Sequence, residues 1–284
     1  MKILLIIILC IILFRIYFIF LEQKSLYHPY KEIPETPANL GIAYEDVNFS
    51  CSPLAVSGGI PSKAGKTNDE PLLNGWFIPA KDAKVTVLYC HGNAGNIYHR
   101  LHKVKFFHEM GVNFFIFDYR GYGKSSGNPS EKGLYKDAQA AYDYIVSRSD
   151  VDKNKIVVYG KSLGGPVAAE LCLHRKASAL ILEGSFASVA LRAQQLYPFL
   201  PMKLLIAQKY DTMAKVKDLP IPKLIVHGRQ DEVISFSHAE ILFKSAAWPK
   251  QFLPFEGGHN DDVYVTSAAY REKLEKFLKD NALF

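Results

Sequence analysis

A glycine-rich turn near the middle of the chain has the residues of a nucleophilic serine site. Gly160-Lys161-Ser162-Leu163-Gly164 follows the apolar run KIVVY and precedes the helical pattern PVAAELCLH. In such a strand-turn-helix the serine occupies a sharp turn, and glycines two residues to either side remove side chains that would meet the neighbouring backbone. The motif predicts that Ser162 attacks a carbonyl carbon. The alternative is a helix start in which Ser162 is only the N-cap.

A serine hydroxyl needs a base that takes its proton and an acid that orients this base. Asp231 follows the run KLIVHG, and His259 follows QFLPFEGG. Each candidate comes after a separate predicted strand, so all three meet at the carboxyl edge of a parallel sheet, where ligands bind. The chain therefore predicts a Ser162-Asp231-His259 triad. Glu232 is the fallback acid, and Asp261 and Asp262 are better explained as first-turn acids of the next helix.

The oxyanion formed by such an attack needs N–H donors that are already in place. The residue after the nucleophile, Leu163, supplies one backbone N–H. The loop after VTVLYC reads His91-Gly92-Asn93-Ala94-Gly95-Asn96, and it places Asn93 to supply the second. His91 precedes a glycine in a tight turn, which favours a structural hydrogen bond over a catalytic role. We expect the other histidines to be surface or packing residues.

The elements that must position these residues are short buried strands that alternate with helices. Continuous apolar runs are typical of strands buried on both faces, and this alternation predicts a parallel sheet within one three-layer α/β/α domain. The candidates are Tyr44 to Phe49, Leu72 to Ile78, and the runs VTVLYC from Val85, VNFFIF from Val112, KIVVYG from Lys155, ALIL from Ala179, KLIVHG from Lys223 and QFLPF from Gln251. Residues 50–70 predict a long surface loop.

Composition excludes several other classes of protein. The chain has 284 residues, 49% of them hydrophobic and 22% charged, which argues against disorder and coiled coils. The net charge of +6 comes without a basic run, so no nucleic-acid partner is expected. Four cysteines lie far apart, and no nucleotide-binding fingerprint follows a strand. We therefore expect neither a metal nor a cofactor.

The amino-terminal end predicts a membrane helix. Residues 3–21 are apolar except for Arg15, and at about 1.5 Å per residue they reach across the hydrocarbon layer of a bilayer. A cleaved signal peptide is the alternative, but the following EQKSLYHPY offers no site of small residues. We predict a single-pass anchor over residues 1–24, a proline-rich tether over 25–40 and a catalytic domain over 41–284. The flanking charges leave the orientation open.

Between the ALIL run and the KLIVHG run the chain inserts fewer than 40 residues, which predicts a short lid and an open cleft. Apolar side chains at its centre are candidates for an acyl-chain groove: Leu196, Tyr197, Phe199 and Met202. Ordinary packing on the sheet is the alternative for these residues.

Five segments together resemble the α/β-hydrolase superfamily: HGNAGN at 91–96, DYRGYGKSSG at 118–127, GKSLGG at 160–165, HGRQDEVI at 227–234 and EGGHND at 256–261. They are especially similar to N-terminally anchored α/β-hydrolase-domain proteins related to serine aminopeptidase-like hydrolases. The resemblance covers residues 40–280 and implies a mostly parallel sheet with helices on both faces. It also implies that Tyr119 and Arg120 pack beside the site rather than react.

The motifs and the resemblance together predict a membrane-anchored serine hydrolase. An open cleft near a bilayer suits carboxylic esters or thioesters of lipid-like molecules or of acylated proteins. A serine peptidase, an acyltransferase that uses the same three residues, and a non-catalytic interaction module on the same fold are the alternatives.

Overall fold

The computed structural model describes residues 2–51, 70–261 and 266–284, and an eight-stranded sheet forms its centre. The sheet order is β10-β9-β8-β7-β4-β6-β3-β2, and a further short pair joins β1 to β5. The strands are β1 (His28–Pro29), β2 (Glu45–Ser50), β3 (Leu72–Ile78), β4 (Thr86–Cys90), β5 (Ala94–Gly95), β6 (Asn113–Asp118), β7 (Ile156–Lys161), β8 (Ala179–Glu183), β9 (Lys223–Gly228) and β10 (Lys250–Phe255).

The sheet is mostly parallel, as the apolar runs predict. From β10 to β6 every neighbouring pair is parallel, whereas β3 pairs antiparallel with both β6 and β2. Every residue of β4, β6, β7, β8 and β9 is buried, because helices cover both faces. The predicted bounds of β3 and β9 are confirmed to the residue. Those of β2, β6 and β7 lie one residue too early.

Helices fill the two outer layers. One buried cluster joins one face of the sheet to α3, α4, α7 and α8, and a second joins the other face to α2 and α9. The helices are α1 (Lys2–Leu26), α2 (Leu101–Glu109), α3 (Glu131–Ser147), α4 (Gly164–His174), α5 (Val189–Leu196), α6 (Met202–Leu205), α7 (Thr212–Lys217), α8 (Ser237–Ser245) and α9 (Ala268–Asp280). The three-layer α/β/α arrangement is therefore confirmed.

Helix α1 contains the predicted anchor. Its mean hydropathy reaches 3.1, and its apolar side chains lie outside the domain. Its carboxyl end differs, because the side chains of Glu22 and of the following Tyr27 are buried. The Glu22 carboxylate accepts the backbone N–H groups of Ala207 and Gln208. The helix thus reaches two residues beyond the predicted anchor boundary and is joined to the domain there.

The segment predicted as a tether packs on the domain along its first half. β1 pairs in parallel with β5, where His28 N–H donates to the Asn93 carbonyl at 3.1 Å and Tyr30 N–H to the Gly95 carbonyl at 3.1 Å. The Asn96 side chain donates to the carbonyl oxygens of Tyr30 and Glu32. The division into anchor, tether and domain stays a prediction, and most of the loop predicted over 50–70 lies outside the described residues.

Candidate active site

The turn between β7 and α4 holds Ser162 in a backbone conformation that few side chains adopt. Its φ is +52°, and its N–H donates to the Glu183 carbonyl at 2.9 Å. A Cβ at Gly160 would collide with the Gly164 carbonyl, and one at Gly164 would collide with the Cys90 carbonyl. Only glycine fits at both positions, for the steric reason that the motif predicts. The N-cap position of α4 is Leu163, and no side chain caps the helix.

Asp231 and His259 come together from the loops after β9 and β10. His259 Nδ1 lies 2.7 Å from Asp231 Oδ2, and both side chains are nearly buried. The second carboxylate oxygen, Oδ1, accepts the N–H groups of Val233 at 2.9 Å and Ile234 at 2.6 Å. Burial opposes ionisation of Asp231, but hydrogen bonds from His227 and His259 outweigh it and hold the pKa of this carboxyl below its usual value.

His227 is a neighbour of this pair that the sequence interpretation left among the packing residues. It ends the apolar run of β9, and its Nε2 lies 3.2 Å from Asp231 Oδ2 and 2.8 Å from the Ile234 carbonyl. The N–H at Nε2 therefore donates toward both oxygens, and this buried contact helps to fix the carboxylate. Its position four residues before Asp231, at the end of a strand, is the signal that could have identified it.

Ser162 and His259 line one cavity of about 520 Å³ at the carboxyl edge of the sheet. Asp231 contacts Nδ1 of His259, so Nε2 is the ring nitrogen that is available to contact Ser162 or a ligand. The cavity lining is Gly92, Asn93, Ala94, Gly95, His99, Arg100, Lys161, Ser162, Val233, His259 and Asn260. The three predicted triad residues are thus at one place, two of them in direct contact.

The two predicted oxyanion donors flank this serine. Leu163 directly follows it, and Asn93 lines the cavity. Within the described residues, neither of their N–H groups donates to another protein atom. His91 Nδ1 lies 2.7 Å from the Gly92 carbonyl, and Tyr122 donates to the Asn93 carbonyl at 2.8 Å. Because a trans peptide directs C=O and N–H oppositely, the His91 bond fixes the direction of the Asn93 N–H.

The sequence interpretation assigned His91 a structural hydrogen bond, and its environment agrees with that role. The ring is fully buried, which lowers its pKa to about 3 and keeps it neutral. Its Nε2 lies 3.6 Å from the buried carboxyl of Asp118, whose pKa burial raises to about 8. Tyr119 donates to the His91 carbonyl at 3.0 Å, and Arg120 forms an ion pair with Asp137. Tyr119 and Arg120 therefore pack beside the site, as the resemblance implies.

A buried charge cluster behind the nucleophile was missed by the sequence interpretation. Glu183 lies 2.8 Å from the Lys103 ammonium and 3.0 Å from that of Lys161, a cavity-lining residue. Burial opposes ionisation of Glu183, but the two lysines outweigh it and lower its pKa. The same residue accepts the Ser162 N–H through its carbonyl. The cluster thus supports the turn, and its only sequence signal is a charge at the end of an apolar strand.

The four candidates for an acyl-chain groove do not line the cavity. Leu196, Tyr197 and Phe199 are exposed, whereas Met202 is buried in the short helix α6. Their part in substrate binding stays a prediction. Among the described residues, the fallback acid Glu232 accepts a hydrogen bond from the backbone N–H of His259, at 3.2 Å, and none from its imidazole. Asp262 lies outside the described residues, and those residues contain no group of three metal-ligating side chains.

Comparisons with known proteins identify the family and the fold. The family model for serine aminopeptidases, S33, matches residues 81–215. The α/β-hydrolase domain-containing protein WAV2 of Arabidopsis thaliana is 35% identical over 271 residues, which are 86% of this chain and 83% of WAV2. Protein bem46 of Schizosaccharomyces pombe is 31% identical over 291 residues, 96% of this chain and 91% of bem46.

A solved structure has the same fold. The esterase Pf2001 of Pyrococcus furiosus superposes with a TM-score of 0.71 at 18% identity and covers 90% of this chain and 98% of its own. The chain belongs to the α/β-hydrolase superfamily.

Proposed function

We propose that this chain is a membrane-anchored serine hydrolase that cleaves carboxylic esters or thioesters of lipid-like or acylated substrates. The observation that supports the proposal best is the 2.7 Å contact of His259 with Asp231 at a cavity that His259 shares with Ser162. An acid, a base and a strained serine at one edge of the sheet are the parts that acyl transfer needs.

In the proposed reaction Ser162 Oγ attacks the acyl carbon while His259 Nε2 takes the hydroxyl proton. Asp231 stabilises the imidazolium that forms, and the N–H groups of Asn93 and Leu163 receive the charge on the carbonyl oxygen. The C–O or C–S bond to the leaving group then breaks, and His259 returns the proton to it. Water, deprotonated by His259, attacks the acyl-enzyme and releases the acid and free Ser162.

The anchor is part of the same proposal. An apolar helix at the amino terminus is also compatible with a signal sequence, but the contacts of its end favour retention. Cleavage after residue 24 would remove Glu22 and leave the N–H groups of Ala207 and Gln208 without their carboxylate. N-terminal sequencing of the membrane fraction tests this point, since a retained anchor begins at the first residues and a processed chain begins near residue 25.

Labelling with a fluorophosphonate tests the nucleophile. We expect the wild type to be labelled and Ser162→Ala to remain unlabelled at unchanged thermal stability. Ser185→Ala is a matched control, since Ser185 is a buried serine near the same turn whose hydroxyl lies 3.3 Å from the Ser162 carbonyl. Labelling of folded Ser162→Ala would contradict the assignment.

A substrate panel separates the proposed activity from its alternatives. It contains esters and thioesters of graded acyl length, an aminoacyl anilide for the peptidase, and an added alcohol acceptor for the acyltransferase. Turnover of the esters and thioesters, absent in Ser162→Ala, supports the proposal. Turnover confined to the anilide supports the peptidase, which the family model for serine aminopeptidases makes the second candidate.

A further inference from the structure

The insertion between β8 and β9 exposes a group of large apolar side chains, which we call the insertion patch. Phe199 is 97% exposed and Leu204 is 79% exposed, and Leu196, Tyr197 and Leu200 are about half exposed. Scattered exposed apolar residues are normal, but a continuous group of this size on one short segment marks an interaction surface. The patch does not line the cavity, so the proposed reaction does not account for it.

Helix α1 lies against the same insertion. The Arg15 guanidinium donates to the carbonyl of Leu205, the last residue of α6. Seven residues later along α1, the Glu22 carboxylate accepts the N–H groups of Ala207 at 3.0 Å and Gln208 at 2.7 Å. Two polar contacts, spaced by about two helical turns, therefore fix the insertion alongside the second half of α1.

These contacts determine the depth of the insertion in a bilayer. The apolar run of α1 ends at Leu21, and Arg15 precedes it by six residues, or about 9 Å of helix. If the run occupies the hydrocarbon layer, Leu205 therefore lies close to the boundary between acyl chains and headgroups. Apolar faces of interfacial helices penetrate to a similar depth, about 5 to 10 Å. The Leu205 carbonyl also gives Arg15 a hydrogen-bond partner within the apolar run.

We propose that the insertion patch is a membrane-docking surface that inserts into the phospholipid layer beside α1. The proposal rests on the anchor proposed above and goes beyond it, because it assigns a second, separate membrane contact to the catalytic domain. A bilayer is the occupant that fits, since Leu205 and Gln208, at the end of the same insertion, contact a helix whose apolar side chains are themselves exposed.

Depth-dependent fluorescence quenching in the full chain tests this surface. The background variant Trp248→Phe removes the exposed tryptophan, and Trp76 is fully buried and is common to all variants. A single reporter is then added as Phe199→Trp in the patch. The chain is reconstituted in phosphatidylcholine vesicles that contain lipids brominated near the upper part of the acyl chain. We expect a blue-shifted reporter emission that the brominated lipid quenches.

Two matched reporters make the outcome decisive. Tyr17→Trp reports on α1. Phe284→Trp reports on the amino edge of the sheet, opposite the cavity, where Phe284 lies beside Lys84 and Gly111. Quenching at positions 17 and 199 but not at 284 supports the docking surface. Quenching at 17 alone overturns the docking and leaves the anchor intact, whereas no quenching at either position overturns both. A blue shift at 199 without quenching indicates a second copy of the chain on the patch and also overturns the proposal.

Discussion

Replacing Asp231 with asparagine is expected to place the proton on the wrong nitrogen of His259. Oδ1 of Asp231 accepts two backbone N–H groups, from Val233 and Ile234, and Oδ2 faces His259 Nδ1. An amide NH2 cannot accept from those N–H groups, so the introduced asparagine has to keep its oxygen there and turn its NH2 toward the imidazole. His259 then accepts at Nδ1 and carries its proton on Nε2, which can no longer take the proton of Ser162.

The expected loss follows from this tautomer. A triad whose base is held in the wrong tautomer loses about 10⁴ in kcat, which corresponds to about 5.5 kcal/mol. The fold should lose far less. His227 Nε2, 3.2 Å from the same Oδ2, keeps its contact with the Ile234 carbonyl at 2.8 Å. The net cost in unfolding free energy is then that of the charge-assisted bond from His227 to Oδ2, about 1.5 to 3 kcal/mol.

The assay is kcat and KM for a soluble short-chain ester that the wild type turns over, together with urea denaturation. Glu232→Gln is the matched control, because Glu232 is exposed and its carboxylate accepts the backbone N–H of His259 without contacting the imidazole through a hydrogen bond in the described part of the chain. We expect that variant to keep kcat within about tenfold of the wild type, the range of one hydrogen bond. An Asp231→Asn enzyme within about tenfold of the wild type, or an equal loss in Glu232→Gln, would refute this reasoning.

Three further predictions concern the oxyanion loop and its supports. His91→Ala should lower kcat about 10²-fold with little change in KM, because the Gly92 carbonyl loses the donor that directs the Asn93 N–H. His91→Asn, which keeps a donor, should restore part of the lost kcat. Equal kcat in the two variants would contradict this role of His91. The pKa of Asp118 lies near 8 in the folded state and near 4 in the unfolded state. Between these two pH values the folded chain binds one more proton than the unfolded chain. The free energy of unfolding therefore falls as pH rises, by up to about 1.4 kcal/mol per pH unit. Urea denaturation from about pH 5 to about pH 8 should show this slope in the wild type and a flatter one in Asp118→Asn, and parallel slopes would exclude the assignment. A chain that starts at residue 25 should be soluble and active. A chain that starts at residue 34 lacks β1, which pairs with the oxyanion loop, and should lose activity. Equal activity of the two folded truncations would show that β1 does not support the oxyanion loop.

The sheet and the position of the triad candidates were accessible from sequence because both rest on local patterns. Buried parallel strands read as continuous apolar runs, and each candidate follows such a run directly. The predicted ends of β6 and β7 were one residue short, because their last residues, Asp118 and Lys161, are polar while the hydrogen-bond ladder still includes them. The apolar pattern of a buried strand ends at the first polar residue. Ion pairs and hydrogen bonds nevertheless lower the free-energy cost of burying such a residue within the strand.

The contacts that were missed depend on residues far apart in the chain. His227 and Glu183 have no distinctive local pattern, and their partners come from other elements. The pairing of β1 with β5 involves two residues on each side, one of them Pro29, so no periodicity predicts it. Three residues of the insertion patch, Leu196, Tyr197 and Phe199, were candidates for an acyl-chain groove because of their apolar type, with packing on the sheet as the alternative. Arg15 and Glu22 hold the insertion against α1. These residues lie far from the insertion in the sequence, so a local sequence window does not contain both sides of the contact.

The short stretch from Glu22 to His28 connects the insertion to the oxyanion loop. At one end it holds the insertion through Gln208, and at the other it holds the oxyanion loop through Asn93. A lid that swings open on a hinge would have to break one of these attachments, and most of the stretch between them is helical. The insertion is therefore braced against the oxyanion loop rather than hinged.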